Sequence, residues 1–564
     1  MIAAARLAAA LVGLWTAIAP AELARVGAPG LAAIRGASLS AHIRFLADDL
    51  LEGRAPGTPG HALAARYLAA QLQAAGAEPA GAAGGWFQPV PFLAMRPDLS
   101  RCALTIAGAG GDARFATGED VLITPSPSRP DATVEGELVF SGRGIVAPAY
   151  RYDDVATDLK GKIAVVLYGA PRSEREDFFP SAASAVYADG IRKARMLAAR
   201  GAVAVISVAT PESLKIYSWQ ERVRDARSFE SLAWLEPEGG APGSGSPVPL
   251  ANLRPEAFER LLRAAGRMET VAGLLESSNA GTLRPFALGL RATLTTAASV
   301  RRLVSENVAG VLRGSDPALS KEYVAVSAHL DHLGRGPEVA GDGIYNGATD
   351  DASGIASLIE IANAFAALPK RPPRSILFLG VTAEEKGLLG SDYFARHPSV
   401  PISAIVANVN SDGPTGWWRP YDVVALGAEH STLETDARNA AAALGLKLSP
   451  DPDPEQVYFI RSDQYSFVKV GVPSAIPGVG YRDASGGHDA NRATMDKWLA
   501  THYHQPSDEW DPKLDYEDMA IEGRYYFLTA LSVALDPSRP AWKPGDVFGA
   551  LFAPPMKEGR ISNR

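Results

Sequence analysis

From Val304 onward, continuous apolar runs alternate with stretches of helical period. "NVAGVLRG", "YVAVSAHLD", "SILFLGVTAEE" and "AIVANVNSD" read as strands, and the spacing between them predicts helices over about 352–368 and 388–396. Strands that are apolar throughout must be covered on both faces. The pattern therefore predicts an α/β fold: a mostly parallel central sheet with helices on either side. Upstream, residues 39–75 carry two helical patterns broken by the Gly and Pro residues of "EGRAPGTPG". In between, "GELVFSGRGIV" and "KGKIAVVLYG" read as strands, "IRKARMLAARG" as a helix ending at Gly201, and "AVAVISV" as a buried strand. These form a smaller α/β unit that ends by about residue 295. The expected division is a leader over 1–21, the N-terminal part of the main domain over 37–119, an insertion over 120–294, the rest of the main domain over 295–540 and a tail over 541–564.

Composition narrows the partners. The chain has 564 residues, 47% hydrophobic and 21% charged, which is ordinary globular content. A net charge of −8 without any long basic run argues against nucleic acid. The start, "MIAAARLAAALVGLWTAIAPAELA", has Arg6, an apolar run from Leu7 to Ala19 and then small residues, the layout of a signal peptide cut near 19–21. That run is short of the roughly 20 residues a membrane span needs. The expectation is a periplasmic or secreted protein with no membrane contact once the leader is removed. Cys102 is the only cysteine, so no intrachain disulfide and no cysteine-built metal site can form. A metal would have to be held by histidine and carboxylate.

Such residues cluster where the strands run out. His329 and Asp331 follow "YVAVSA", Glu384 and Glu385 follow "SILFLGVTA", and Asp412 follows "AIVANVNS". In open α/β sheets ligands bind beyond the carboxyl ends of the strands, so these side chains converge on one crevice. Asp350 and Asp351 of "GATDDASG" lie in the loop after the first of these strands, and "THYHQPSDEWD" adds His504 and Asp508. Strand periodicity puts Asp331 on the same side as His329, where it can hold the imidazole from behind. Glu384 and Glu385 diverge, so one can bind a metal while the other faces a substrate water as base. Each has an ordinary reading too: "HLD" as a surface histidine, "EE" as a solvated first helical turn, either aspartate as a helix N-cap. For Asp351 the supporting role is preferred, for Asp350 the ligand role. His332 and His488 read as structural or surface histidines, and His42, His61, His397 and His430 as carrying no chemistry. "GWW" at 416–418 is either a side-chain pocket or a packed loop.

Taken together, "AHLDH", "GATDDASG", "TAEEKGLLGS", "NVNSDG" and "YHQPSDE" resemble the motifs of the co-catalytic dizinc exopeptidases, the family of bacterial leucyl aminopeptidase and glutamate carboxypeptidase. The motifs occur in the family's order over residues 325–510, and the segment over about 120–294 resembles the protease-associated domain inserted in many members. The resemblance implies a zinc-exopeptidase fold and two zinc ions per chain. Asp350 would bridge them, His329 and Asp412 would complete one site, and Glu385 and His504 the other. Glu384 would be the general base, Asp331 the acid behind His329, and Tyr503 the group that polarises the scissile carbonyl. Gln464 stands where many relatives carry histidine. The implied activity is removal of N-terminal residues from peptide substrates. Alternatives on the same fold are a carboxypeptidase, for which Arg461 or Arg482 could meet the substrate carboxylate, a glutaminyl cyclase-like acyltransferase, and a metal-bound binding protein without turnover. The intact Glu384 counts against the last.

Overall fold

The computed structural model describes residues 18–553 apart from 108–112, 156–157, 174, 176–177 and 238–239. The expected leader falls almost wholly outside the described residues, as does the tail beyond residue 553.

The α/β architecture expected from the apolar runs is present. At the centre of the larger sheet, strand Tyr323–His329 lies parallel to Ser375–Val381 on one side and to Ile405–Asn410 on the other, and Ser474–Val479 extends the parallel set. All seven residues of Tyr323–His329 and of Ser375–Val381 are buried. This is why these strands carry no polar alternation. Antiparallel strands flank this centre. Ala298–Leu312 pairs with Ser375–Val381 and with Phe87–Pro97, and Asp422–Leu426 pairs with Ser474–Val479.

Helices cover both faces. On one face Ser353–Ala367, Pro20–Ala33, Gly36–Leu46 and Tyr516–Leu535 pack together; Ile355, Leu358, Ile359, Phe365 and Phe527 are within 1% of full burial. On the other, Phe394 and Phe467 close over Leu377 and Leu379. The helix Pro59–Ala74 starts at Thr58, whose hydroxyl accepts from His61 N, and it buries Ala64, Leu68 and Leu72 at helical spacing.

Among the described residues a second sheet has eight strands drawn from the sequence between Ala103 and Thr296, with Ile163–Leu167 and Ala204–Val208 parallel at its centre and a hydrophobic core of its own. Ser231–Trp234 lies within this stretch of sequence but pairs with Phe87–Pro97 of the larger sheet. The two units are also tied by the helix Val547–Phe552. Val547 and Leu551 pack against Phe179 and Tyr187 of the second unit, while Phe548 meets Phe459 of the first.

Candidate metal centre

Three adjacent parallel strands deliver ligand-type side chains to one place. His329 ends the central strand; Glu384 and Glu385 follow its neighbour Ser375–Val381, and Asp412 follows Ile405–Asn410. The Nε2 of His329 lies 3.1 Å from Asp350 Oδ1 and 3.7 Å from Asp412 Oδ1. On the other side of Asp350, His504 Nε2 lies 3.3 Å from its Oδ2 and 3.1 Å from Glu385 Oε2. Two groups of possible ligand atoms, each within 4.8 Å of one another, share Asp350: His329, Asp350 and Asp412, and His332, Asp350 and Glu385.

His332 is a correction to the sequence reading of a structural or surface histidine. It is fully buried and its Nδ1 is 2.7 Å from Glu385 Oε1. The strand ends at His329, so strand periodicity no longer governs the chain, and the irregular turn beyond it swings His332 into the site. The available signal was a second histidine three residues after the first, across an aspartate. His488, by contrast, is exposed as expected.

The donor set fits a cation. His329 Nε2, both ring nitrogens of His332 and Glu385 Oε1 are buried, and although His332 Nδ1 lies 2.7 Å from Glu385 Oε1 and His329 Nε2 3.1 Å from Asp350 Oδ1, neither pair has the alignment of a hydrogen bond. Leaving such groups unsatisfied costs about 1–3 kcal/mol each, so their convergence calls for an electron-pair acceptor. The electrostatics agree. Burial opposes ionisation of Asp350, but the imidazoles of His329 and His504 outweigh it and hold the carboxyl well below its usual range. Burial likewise opposes the charged form of His504, yet Glu385 and Asp350 raise it to about 10. Burial, with Glu385, Asp463 and Asp412 adding their charge, pushes Glu384 well up despite His329.

The ligand-type residues are held by their backbones. Asp331 does not hold the His329 ring through its carboxylate, as strand geometry predicts: the carboxylate is 4.0 Å away, and His329 Nδ1 is 3.0 Å from the Asp331 carbonyl oxygen. The Asp331 carboxylate instead accepts from Glu384 N at 3.0 Å and Glu385 N at 3.4 Å, fixing the turn that presents both glutamates. Asp351 accepts from His329 N at 3.1 Å, Gly354 N at 2.9 Å and Gly413 N at 3.0 Å, joining three elements and capping the helix behind it. Asp508 accepts from Thr349 N and Asp350 N. A side chain at Gly347, which has φ +61°, would meet Asp350 O at 2.2 Å, and one at Gly354 would meet Asp351 Oδ1 at the same distance. Glycine leaves room for the Asp350 carbonyl at the first position and for the Asp351 carboxylate at the second.

Gln464 is structural: its Nε2 donates to Phe459 O at 2.6 Å and its Oε1 accepts from Asn410 Nδ2 at 3.1 Å. Tyr503 stacks on His504 with ring centroids 3.9 Å apart, and burial lifts its hydroxyl well above the usual range. Of "GWW", Trp418 donates to Gly480 O in a packed loop, while Trp417 and Trp498 continue the ring contacts from Tyr503. A cleft of about 820 Å³ opens over the centre, with Glu385, His504, Tyr503 and Arg461 on one side and Arg143 and Phe229 of the second unit on the other.

Residues 307–525 match the model of peptidase family M28, which bears out the resemblance read from the five motifs. An aminopeptidase from Aneurinibacillus sp. strain AM-1 shares the fold, with 21% identity, a TM-score of 0.51, and 92% of this chain and 98% of that one covered. Leupeptin-inactivating enzyme 1 of Streptomyces exfoliatus is 26% identical over 45% of this chain and 53% of its own length. A vacuolar membrane protease of Verticillium alfalfae is 34% identical over 17% of this chain and 9% of its own length. The chain thus spans about half or less of the length of these curated relatives. The fungal relatives overturn the expected periplasmic or secreted location. Those from Verticillium alfalfae, Lodderomyces elongisporus, Lachancea thermotolerans and Saccharomyces cerevisiae are all named for a vacuolar membrane. Among the described residues no helix is long and apolar enough to cross a membrane.

Proposed function

We propose that this chain, which carries a family M28 peptidase segment over residues 307–525, is a zinc aminopeptidase that releases N-terminal residues from peptides with two zinc ions. The observation that carries this reading is the position of Asp350, shared by two groups of buried ligand atoms. His329, Asp350 and Asp412 would hold one ion; Asp350, Glu385 and His504, with His332 beside them, would hold the other. Bound there, the ions would lower the pKa of water toward neutrality and draw charge from the scissile carbonyl.

The chain's own residues supply the rest. Glu384, anchored by its amide to Asp331, takes the proton of the attacking water and passes it to the departing amine. Tyr503 keeps its hydroxyl proton over a wide pH range and can donate it as a hydrogen bond to the substrate carbonyl. The test is metal content by mass spectrometry together with hydrolysis of leucyl p-nitroanilide and of carboxy-terminal chromogenic substrates, with and without chelator. Two zinc ions per chain and chelator-sensitive release from the aminoacyl substrate are expected. One ion, or release only from the carboxy-terminal substrate, would overturn it.

A further inference from the structure

The cleft over the metal centre is roofed by the second unit and holds a cation, Arg461, that no carboxylate among the described residues answers. Its volume of about 820 Å³ is that of a site for a compact ligand. A peptide whose N-terminal residue sits at His504 and Glu385 can lay its next residues in this partly enclosed cleft, which Arg461 also lines. Arg143 and Arg222, which also line the cleft, are already engaged. Arg143 donates to Tyr168 O and Ser278 Oγ, and Arg222 to Tyr217 O and Ser213 O. Lys386 rests 5.0 Å over the Phe229 ring. Arg461 is exposed to the cleft; its guanidinium rests 5.2 Å over the Tyr458 ring, and it makes no ion pair among the described residues.

The Arg461 backbone is fixed on both sides. Gln464 Nε2 bonds Phe459 O at 2.6 Å, and Ser462 Oγ accepts from Asn410 Nδ2 at 2.9 Å. Asn410 ends the strand that leads to Asp412, so Arg461 is tied to the element carrying a metal-site residue. A planar guanidinium on a rigid turn, open to a partly enclosed cleft, is suited to bidentate binding of a carboxylate.

We propose that Arg461 is the subsite for the free C-terminal carboxylate of short peptides, which makes peptides of a few residues the substrate class and, because the guanidinium stands at one place, favours one length among them. This rests on the aminopeptidase reading. The experiment compares kcat/KM for leucyl di-, tri- and octapeptides as free acids and as C-terminal amides, with leucyl p-nitroanilide as the check on the parent reading. In the wild type the free acid of a short peptide is expected to exceed its amide by roughly 10- to 100-fold, the worth of a charge-assisted pair, with little difference in the octapeptide. Arg461→Gln should bring the short-peptide ratio close to one, and Arg461→Lys should restore part of it. A general structural defect would lower both substrates together and leave the ratio intact. A wild-type ratio near one, or one unchanged by Arg461→Gln, overturns the subsite while hydrolysis of leucyl p-nitroanilide leaves the parent reading standing. No hydrolysis of leucyl p-nitroanilide by the wild type overturns both.

Discussion

The guanidinium of Arg54 donates through Nη2 to the carbonyl oxygen of Gly347 at 2.9 Å, from a position only 1% exposed. Its other donors reach Leu330 O, Leu46 O and Asn346 O, so one side chain ties the N-terminal helices to the two loops that carry the metal-site residues. Burial works against its charge, which Asp351, Asp331, Asp508 and Asp350 sustain. Removing one partner of a buried ionic set strands the others. Arg54→Met is therefore expected to destabilise the protein by roughly 3–5 kcal/mol in urea unfolding. Arg54→Lys keeps the charge but cannot reproduce the fork, and should fall between the two. Equal stability of Arg54→Met and wild type would show that the clamp is dispensable.

Glu384 is tested by exchange for its isostere. Glu384→Gln preserves shape and the Asp331 bond to its amide but cannot take a proton. It is expected to lower kcat by about 10²- to 10⁴-fold with metal content unchanged. Retention of full turnover with two ions bound would remove Glu384 from the proton transfer.

His332 separates the two ways of completing the second ion site. With Nδ1 2.7 Å from Glu385 Oε1, it either ligates or orients the carboxylate that does. Its removal in His332→Ala should weaken binding of one zinc equivalent by roughly 10- to 100-fold in competition titration. His488→Ala, at an exposed position, should not alter either affinity. Unchanged binding of both ions by His332→Ala would return His332 to a packing role.

The parts of this site that could be read in sequence share a physical cause. His329, Glu384, Glu385 and Asp412 end apolar strands, and a parallel sheet leaves the ends of its strands no other destination. Asp351 was legible because an aspartate before a helical pattern has local amides to accept from, as it does from Gly354. Arg54 was not. It sits in "EGRAPGTPG", a stretch whose Gly and Pro residues announce a break and nothing more, while its partners Leu330, Asn346 and Gly347 lie 276, 292 and 293 residues away. His332 was missed for the opposite reason: a correct local rule, strand alternation, does not hold past the point where the strand ends. The bond from His329 to the Asp331 carbonyl, rather than to its carboxylate, belongs to the same turn.

Glu522 gives the stability of the molecule a pH dependence that can be isolated. It is 3% exposed on the helix Tyr516–Leu535, where Oε2 accepts from Thr415 N at 3.0 Å and Oε1 lies 3.5 Å from the Tyr526 hydroxyl. Burial raises its pKa to about 8 against the opposing effect of these hydrogen bonds. The folded chain therefore keeps a proton that the unfolded chain gives up near its ordinary value of 4.5. The associated stability is fully present below that value and is lost as pH rises through about 8, at close to 1.4 kcal/mol per pH unit within the window. Glu522→Gln cannot ionise but can still accept from Thr415 N. The difference between variant and wild type in urea unfolding should therefore shift in favour of the variant by about 3 kcal/mol between pH 5 and pH 8. Other titrating groups contribute equally to both proteins and cancel in that difference. Parallel stability curves would mean that Glu522 ionises in the fold as it does in water, and that the helix carries no buried proton beneath the loop at Thr415.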